Sequence, residues 1–324
     1  MSNPTPIGTN DVTAIARRRI MPYIVDQVYR SNPLFFRLYA AKRIVPGGTH
    51  IEIPAMYQPP VAGGAYSGYQ VIDVSPSDTD KNLAFGWKQY AAPVTVDGLT
   101  MIQVDSPESV ANFLKLKFQK AKMHMADILG TAVWSDGTDP IELVGIEAAV
   151  DDGGVAASYG GHVRSANSWL NSTEDAVSTM LTLPLLENLW SSAEEGAHTP
   201  TMILSRKEQY NRYWNLLQAG QNYPQQPGGS DQILGSAGFT NLLFNQVPWT
   251  KDSHVPDGAN ASNSGIYMLN EEFIELIVSP RADMYLQDFI RPHDQDAMVA
   301  LILWAGALTF SNTARQAKAT AITS

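Results

Sequence analysis

A single helix dictates most of what this chain can fold into. Ser106-Pro107-Glu108 is a strong start signal, with a capping Ser, Pro at the first helical position and an acid in the first turn. Val110, Phe113, Leu114, Phe118, Ala121, Met125, Ile128 and Leu129 then recur at helical spacing and mark one face. The pattern runs to about Trp134, roughly 28 residues or 42 Å at the usual rise. A helix of that length is a spine on which other elements are laid. Lys115, Lys117, Lys120 and Lys122 decorate the rest of its surface.

The chain before the spine has little from which to build a core. Residues 9–31 read as a helix capped by Thr9 or Asn10, with Ile15, Ile20, Tyr23, Ile24 and Val28 at helical spacing, ended by Asn32-Pro33. A second short helical stretch, 34–41, is rich in aromatics (Phe35, Phe36, Tyr39) and needs the body of the protein or a neighbour to cover them. From Gly47 the character changes. Thr49-His-Ile-Glu-Ile alternates polar and apolar, and Pro54, Pro59, Pro60, Gly63, Gly64 and Gly68 punctuate the next twenty or so positions. Residues 69–75 and 83–103 are expected to be extended. Two strands with a long tip form a hairpin that is marginal alone, so it is expected to lie on another subunit.

After the spine, residues 135–175 are rich in Gly, Asp and Ser and read as loops and short strands. Helices are expected over 183–195 and 207–219, around a buried strand Thr201-Met-Ile-Leu-Ser, and 220–232 is a loop by composition. Strands then dominate, at 242–247, 265–269, 273–278 and 296–310. The last is apolar on both sides, as befits a central strand, and its Gly306 marks a close backbone approach. The class is α+β, and 324 residues suffice for two or three packing units.

Chemistry is hard to find. There is no GxxxxGK[ST], no strand–GxGxxG–helix, no HExxH and no GxSxG. The absence of cysteine removes thiol nucleophiles, disulfides and Cys-based zinc sites, and no cofactor is expected. The six histidines are scattered, and none stands beside an evident nucleophile. The best enzyme lead is His293-Asp294-Gln295-Asp296, where a His and two carboxylates could hold a hard metal for a hydrolase. A turn entering a long strand explains the same residues and is the preferred reading. A net charge of -10 argues against a protein whose main task is gripping phosphates, although Arg17-Arg18-Arg19 and the spine lysines are local basic spots. Charged residues make up only 17%, which suggests a surface covered by partner subunits. No signal peptide or membrane-length apolar run is read, and no membrane partner is expected.

The order of elements resembles the tailed-phage capsid fold of the HK97 type. Local stretches share the likeness: Gly161-His-Val-Arg-Ser-Ala-Asn-Ser-Trp, Ile266-Tyr-Met-Leu-Asn-Glu-Glu-Phe-Ile-Glu-Leu, Arg291-Pro-His-Asp-Gln-Asp-Ala and Leu303-Trp-Ala-Gly-Ala-Leu-Thr-Phe-Ser-Asn-Thr-Ala-Arg-Gln. The resemblance implies a non-enzymatic shell subunit of a phage head that builds pentamers and hexamers around double-stranded DNA. It implies an N-terminal arm over 1–47, an extended loop over 48–103, a peripheral domain over 104–150 joined by 271–324, and an axial domain over 151–270. Portal, scaffolding and decoration proteins would be further partners, with assembly in the host cytoplasm into the virion. Arg17, Arg18, Phe35, Phe36, Tyr57, Tyr66, Tyr69, Lys81 and Trp87 are the expected contacts between copies. The lysines at 115, 117, 120 and 122 would face the DNA. An encapsulin-like compartment that encloses enzymes shares the fold and is the alternative.

Overall fold

The computed structural model describes residues 32–59, 62, 64–71, 76–103, 107–177, 179–219, 242–256 and 264–323. The helix expected over 9–31, with Arg17 and Arg18, the Ser106 cap and the 220–232 loop lie outside these residues. Asn32 caps α1 (Pro33–Ala40): its side-chain oxygen accepts the Phe35 N–H at 3.2 Å, and Pro33 fills the first turn, where no N–H is needed. Leu34, Phe35, Leu38 and Tyr39 are buried, while Phe36 is 41% exposed. The aromatic stretch thus packs on its own chain. Phe35 belongs to that core and is not a surface contact.

β1 (Arg43–Ile44) is followed by β2 (His50–Met56) and β3 (Asp80–Gly86), which pair antiparallel from His50 opposite Gly86 to Met56 opposite Asp80. Ile51, Ala55, Leu83 and Phe85 are buried on one face of this ribbon. β4 (Lys88–Asp97) ends six residues earlier than expected. The Asp97 carboxylate accepts the Thr100 backbone N–H at 3.0 Å and its hydroxyl at 2.6 Å, turning the chain into α2 (Gly98–Gln103). Of the strand expected at 69–75, the described part (69–71) is turn and coil. The spine itself is α3 (Pro107–Val133), within a residue of its expected end.

β14 (Ala297–Phe310) is the axis of a five-stranded sheet. β4 pairs along one side for ten residues, from Ala297 opposite Asp97 to Gly306 opposite Lys88. β13 (Tyr285–Leu286) and β12 (Ile274–Val278) pair in succession along the other, with β1 parallel to β12. Gly306 is the close approach read from the sequence: a Cβ there would meet the Ile277 carbonyl oxygen at 2.5 Å and the Trp304 ring at 2.7 Å. Val110, Leu114, Phe118, Met125 and Leu129 of the spine join the same core, where Phe118 meets Phe289 edge-on at 5.9 Å.

Beyond the spine come α4 (Ile146–Ala149), β5 (Ser158–Tyr159), β6 (His162–Val163), β7 (Thr173–Ala176), α5 (Leu183–Ala193), β8 (Met202–Ser205) and α6 (Lys207–Ala219). β9 (Leu242–Phe244) and β10 (Val247–Lys251) form a tight hairpin through Asn245 and Gln246, both at positive φ. With β11 (Ser264–Leu269) and β15 (Ala317–Ile322) they complete a six-stranded sheet in the order β7-β15-β11-β8-β10-β9. Its side chains alternate between two cores, as the strand period demands. Met202, Leu204, Tyr267 and Leu269 face the spine, and Trp134 packs edge-on against Tyr267 at 4.9 Å. Ile203, Ile266, Met268, Ala317 and Ala319 face α5 and α6, where Tyr213 stacks on Trp249 at 4.5 Å. β15 was not expected from the sequence, because Ala317-Lys-Ala-Thr-Ala-Ile offers no large apolar side chain before Ile322. Residues 317–322 therefore lie in the sheet of the 151–270 segment and not with the rest of 271–324.

Candidate assembly surface and buried charge network

The metal-hydrolase lead is a structural turn. The Arg291 guanidinium forms an ion pair with the Asp296 carboxylate, and the Asp296 carbonyl accepts the Gly98 N–H at 2.8 Å. Asp296 also lies so close over Gly98 that any Cβ there would collide with it. The carboxylate that a metal would need is paired with Arg291, while the Asp296 backbone carbonyl joins the start of β14 to the end of β4.

The hairpin separates into a packed base and an exposed tip. At the base, Lys81 donates to Asn167 Oδ1 at 2.7 Å and stands 4.6 Å from the centre of the Tyr57 ring, which tilts against Trp169 at 6.1 Å. Trp87 donates its indole N–H to the Gly48 carbonyl at 2.9 Å. These three candidates make their described contacts within the chain. At the tip, Tyr66 is 65% exposed, and Tyr69 and Val71 are almost fully exposed. Neither ring is covered by the described part of the chain.

The spine lysines do not form one surface. Lys115 and Lys120 are exposed, and Lys117 lies along Phe113 with its ammonium 5.4 Å from the ring centre. Lys122 points inward and is 2% exposed. Burial, helped by the positive charge of Lys115, pushes its pKa down to about 8. It is therefore removed from the expected DNA-facing set. Seven positions separate Lys115 and Lys122 on one helical face, and sequence cannot tell where along that face the covering begins.

Sequence reasoning missed the buried charges. Arg164, 1% exposed, donates to the backbone carbonyls of Asp151 and Ala148 at 2.7 Å, of Ala149 at 2.9 Å, and of Leu170. One planar fork thus gathers the end of α4 and the 164–170 turns, which accounts for an Arg within the resemblance stretch 161–169. Burial lowers the guanidinium pKa from its ordinary value, and Asp151 opposes the shift. Nearby, Lys318 on β15 reaches Asp151 at 3.3 Å and Glu174 on β7 at 3.0 Å. Burial alone would raise the Asp151 carboxyl. The N–H groups of Ala156, Val155 and Gly153, with Lys318, hold it below the usual carboxylate range. Glu174 is raised by its burial, against the pull of Lys318. Asp151, Asp152 and Glu174 converge as a donor set for a cation would, and the Lys318 ammonium already supplies positive charge to two of the three. Residue identity leaves this pairing unmarked, since Lys318 and Asp151 lie 167 positions apart.

No protein-family profile matches the sequence, and no curated protein matches it. Among solved structures the chain is similar to the cyanophage A-1(L) capsid asymmetric unit, with TM-score 0.63 and 13% identity over 86% of this chain and 89% of that one. It is similar to a structure from Mycobacterium phage Cain, with TM-score 0.54 and 12% identity over 95% and 93%. It is also similar to the holo-SrpI encapsulin complex from Synechococcus elongatus PCC 7942, with TM-score 0.56 and 10% identity over 89% and 87%. The chain has the HK97-type capsid fold, an α+β architecture as expected from the sequence.

Proposed function

We propose that this chain is the major capsid protein of a tailed bacteriophage, a structural subunit that assembles into pentamers and hexamers around double-stranded DNA. The observation that carries the reading is a capsid fold matched over most of the chain's length, with the aromatic hairpin tip projecting into solvent. A tip of that kind gains stability on the surface of a second copy, and repeated copies make closed shells. Tyr66, Tyr69 and Phe36 are the described residues best placed for contacts between copies, and Lys115 and Lys120 for loose contact with packaged DNA. A net charge of -10 keeps such contact weak and non-specific. Portal, scaffolding and decoration proteins are the further partners of this reading, with assembly in the host cytoplasm and residence in the virion. Nothing in the reading requires catalysis.

The similarity to an encapsulin supports a second reading, a nanocompartment shell that encloses protein. Electron microscopy of the chain expressed alone and with its neighbouring genes separates the cases. Closed shells, tubes or capsomers support a shell subunit, and DNA or protein inside then distinguishes phage from nanocompartment. A uniform monomer or small oligomer under both conditions would refute both.

A further inference from the structure

Besides the apolar packing between them, one histidine links the spine helix to the six-stranded sheet. His254, in the turn after β10, places its ring between two carboxylates on different elements. Nε2 lies 3.1 Å from Asp127 Oδ1 on the spine, and Nδ1 lies 3.3 Å from Asp252 Oδ1 on its own turn. A neutral imidazole carries one N–H and one lone pair. Flanked by two acceptors, it can bond one carboxylate and must turn a lone pair toward the other. The imidazolium bonds both.

The two sides are unequal. Asp252 is buried and also accepts the His254 backbone N–H at 2.8 Å, whereas the Asp127 side chain is 75% exposed. A ring that loses a proton keeps Nδ1–H on Asp252 and gives up Nε2–H, the contact that crosses to the spine. The seat is built for closeness. A Cβ at Gly130, one turn beyond Asp127, would come 2.9 Å from His254 Nε2 and 2.6 Å from Asn32 Nδ2. Asn32 is the N-cap of α1, so that helix begins beside this same turn of the spine.

We propose that His254 is a proton-operated latch between the spine helix and the six-stranded sheet, fastened when the ring is charged and released from Asp127 when it is neutral. The charged groups around it are Asp127 from α3 and Asp252 from its own turn. Arg206, which follows β8, donates its Nε–H to the neighbouring Val255 carbonyl at 2.5 Å and holds the turn itself in place. The bond to Asp252, followed by that to Asp127, raises the ring's pKa against the lowering effect of burial. A folded-state pKa above the ordinary 6.5 means that the latch contributes fully below that value. The contribution is lost as pH rises through the raised folded value.

Hydrogen exchange of the full chain, followed by mass spectrometry, tests this in two ways. Exchange of imidazole C2–H reports each histidine's pKa: His254 should titrate above 6.5, and Asp127→Asn should move it down. Amide protection of peptides around Asp127 and His254, corrected for the intrinsic rate, should fall about fivefold between pH 6 and 9, as for loss of roughly 1 kcal/mol. In Asp127→Asn that protection should be low and indifferent to pH. The latch is overturned if His254 titrates at or below its ordinary value, or if protection in the unsubstituted chain does not change with pH. It is equally overturned if Asp127→Asn behaves like the unsubstituted chain. None of these outcomes depends on whether the chain builds a shell.

Discussion

Replacing Arg164 by Lys keeps the charge and most of the length, yet it should cost the chain a large share of its stability. The guanidinium is almost completely buried, and its two terminal nitrogens serve four backbone carbonyls at once. Lysine offers a single nitrogen, which can meet about two of them. Ser172 and Thr313 still donate to the Asp151, Ala149 and Leu170 carbonyls, so the loss is that of two charge-assisted bonds at roughly 1.5–3 kcal/mol each, about 3–6 kcal/mol. Against a typical total of about 5–15 kcal/mol, such a loss decides whether the chain stays folded at elevated temperature. Urea unfolding of the dilute, unassembled chain, followed by tryptophan fluorescence, measures the effect. With a slope of about 3 kcal/mol/M the midpoint should fall by about 1–2 M. An unchanged midpoint with an unchanged slope would mean that water or a shifted backbone satisfies those carbonyls, and the fork would be dispensable.

Three other perturbations test the same geometry. Serine at both Tyr66 and Tyr69 should leave the urea midpoint of the unassembled chain within about 0.5 kcal/mol of its original stability, since exposed positions carry little of it. The same change should abolish or slow shell formation in light scattering, and unaltered assembly kinetics would count against the tip as a contact. Lys318→Met should cost about 3–5 kcal/mol near neutral pH, because Asp151 and Glu174 remain buried without their ammonium. That deficit should shrink as acid protonates the carboxyls, and urea midpoints across a pH series will show whether it does. Lys122→Met should stabilise the chain most below pH about 8, where burial penalises the ammonium. A lysine depressed in the folded state makes the unsubstituted chain more stable as pH climbs from about 8 toward 10.5, so the gain from Met should fade over that interval.

The sequence was most legible where one period ran for long enough. The spine, α5, β8, α6 and β14 were all readable because apolar residues recur along them at helical spacing or without polar interruption. Legibility failed where small residues carry the structure. β15 has five short or polar positions before Ile322, and its burial comes from neighbours on β7 and β11 that lie far away in the chain. The β4–α2 junction was read as continuous strand because the Asp97–Thr100 bonds that end it look like ordinary polar residues on a surface. The charged sites were least visible of all. Arg164 lay inside a stretch noted for resemblance, but its four acceptors are backbone atoms, which leave no mark in residue identity. His254 gains its two carboxylates from a helix 127 positions earlier and from its own turn, and scattered histidines look alike until the fold brings such partners together.

The placement of β15 also bears on how the protein is made. β7 is held in its sheet through residues 317–322, which insert between it and β11. A growing polypeptide can therefore have produced the spine, both flanking helices and most of the strands while this slot is still empty. Until residue 322 clears the ribosome, Asp151 and Glu174 also await the ammonium that neutralises them. Truncated products are left with a split sheet and a raw, charged gap in place of a finished wall. A polypeptide that stops short of β15 thus lacks the strand that ties β7 to the rest of its sheet.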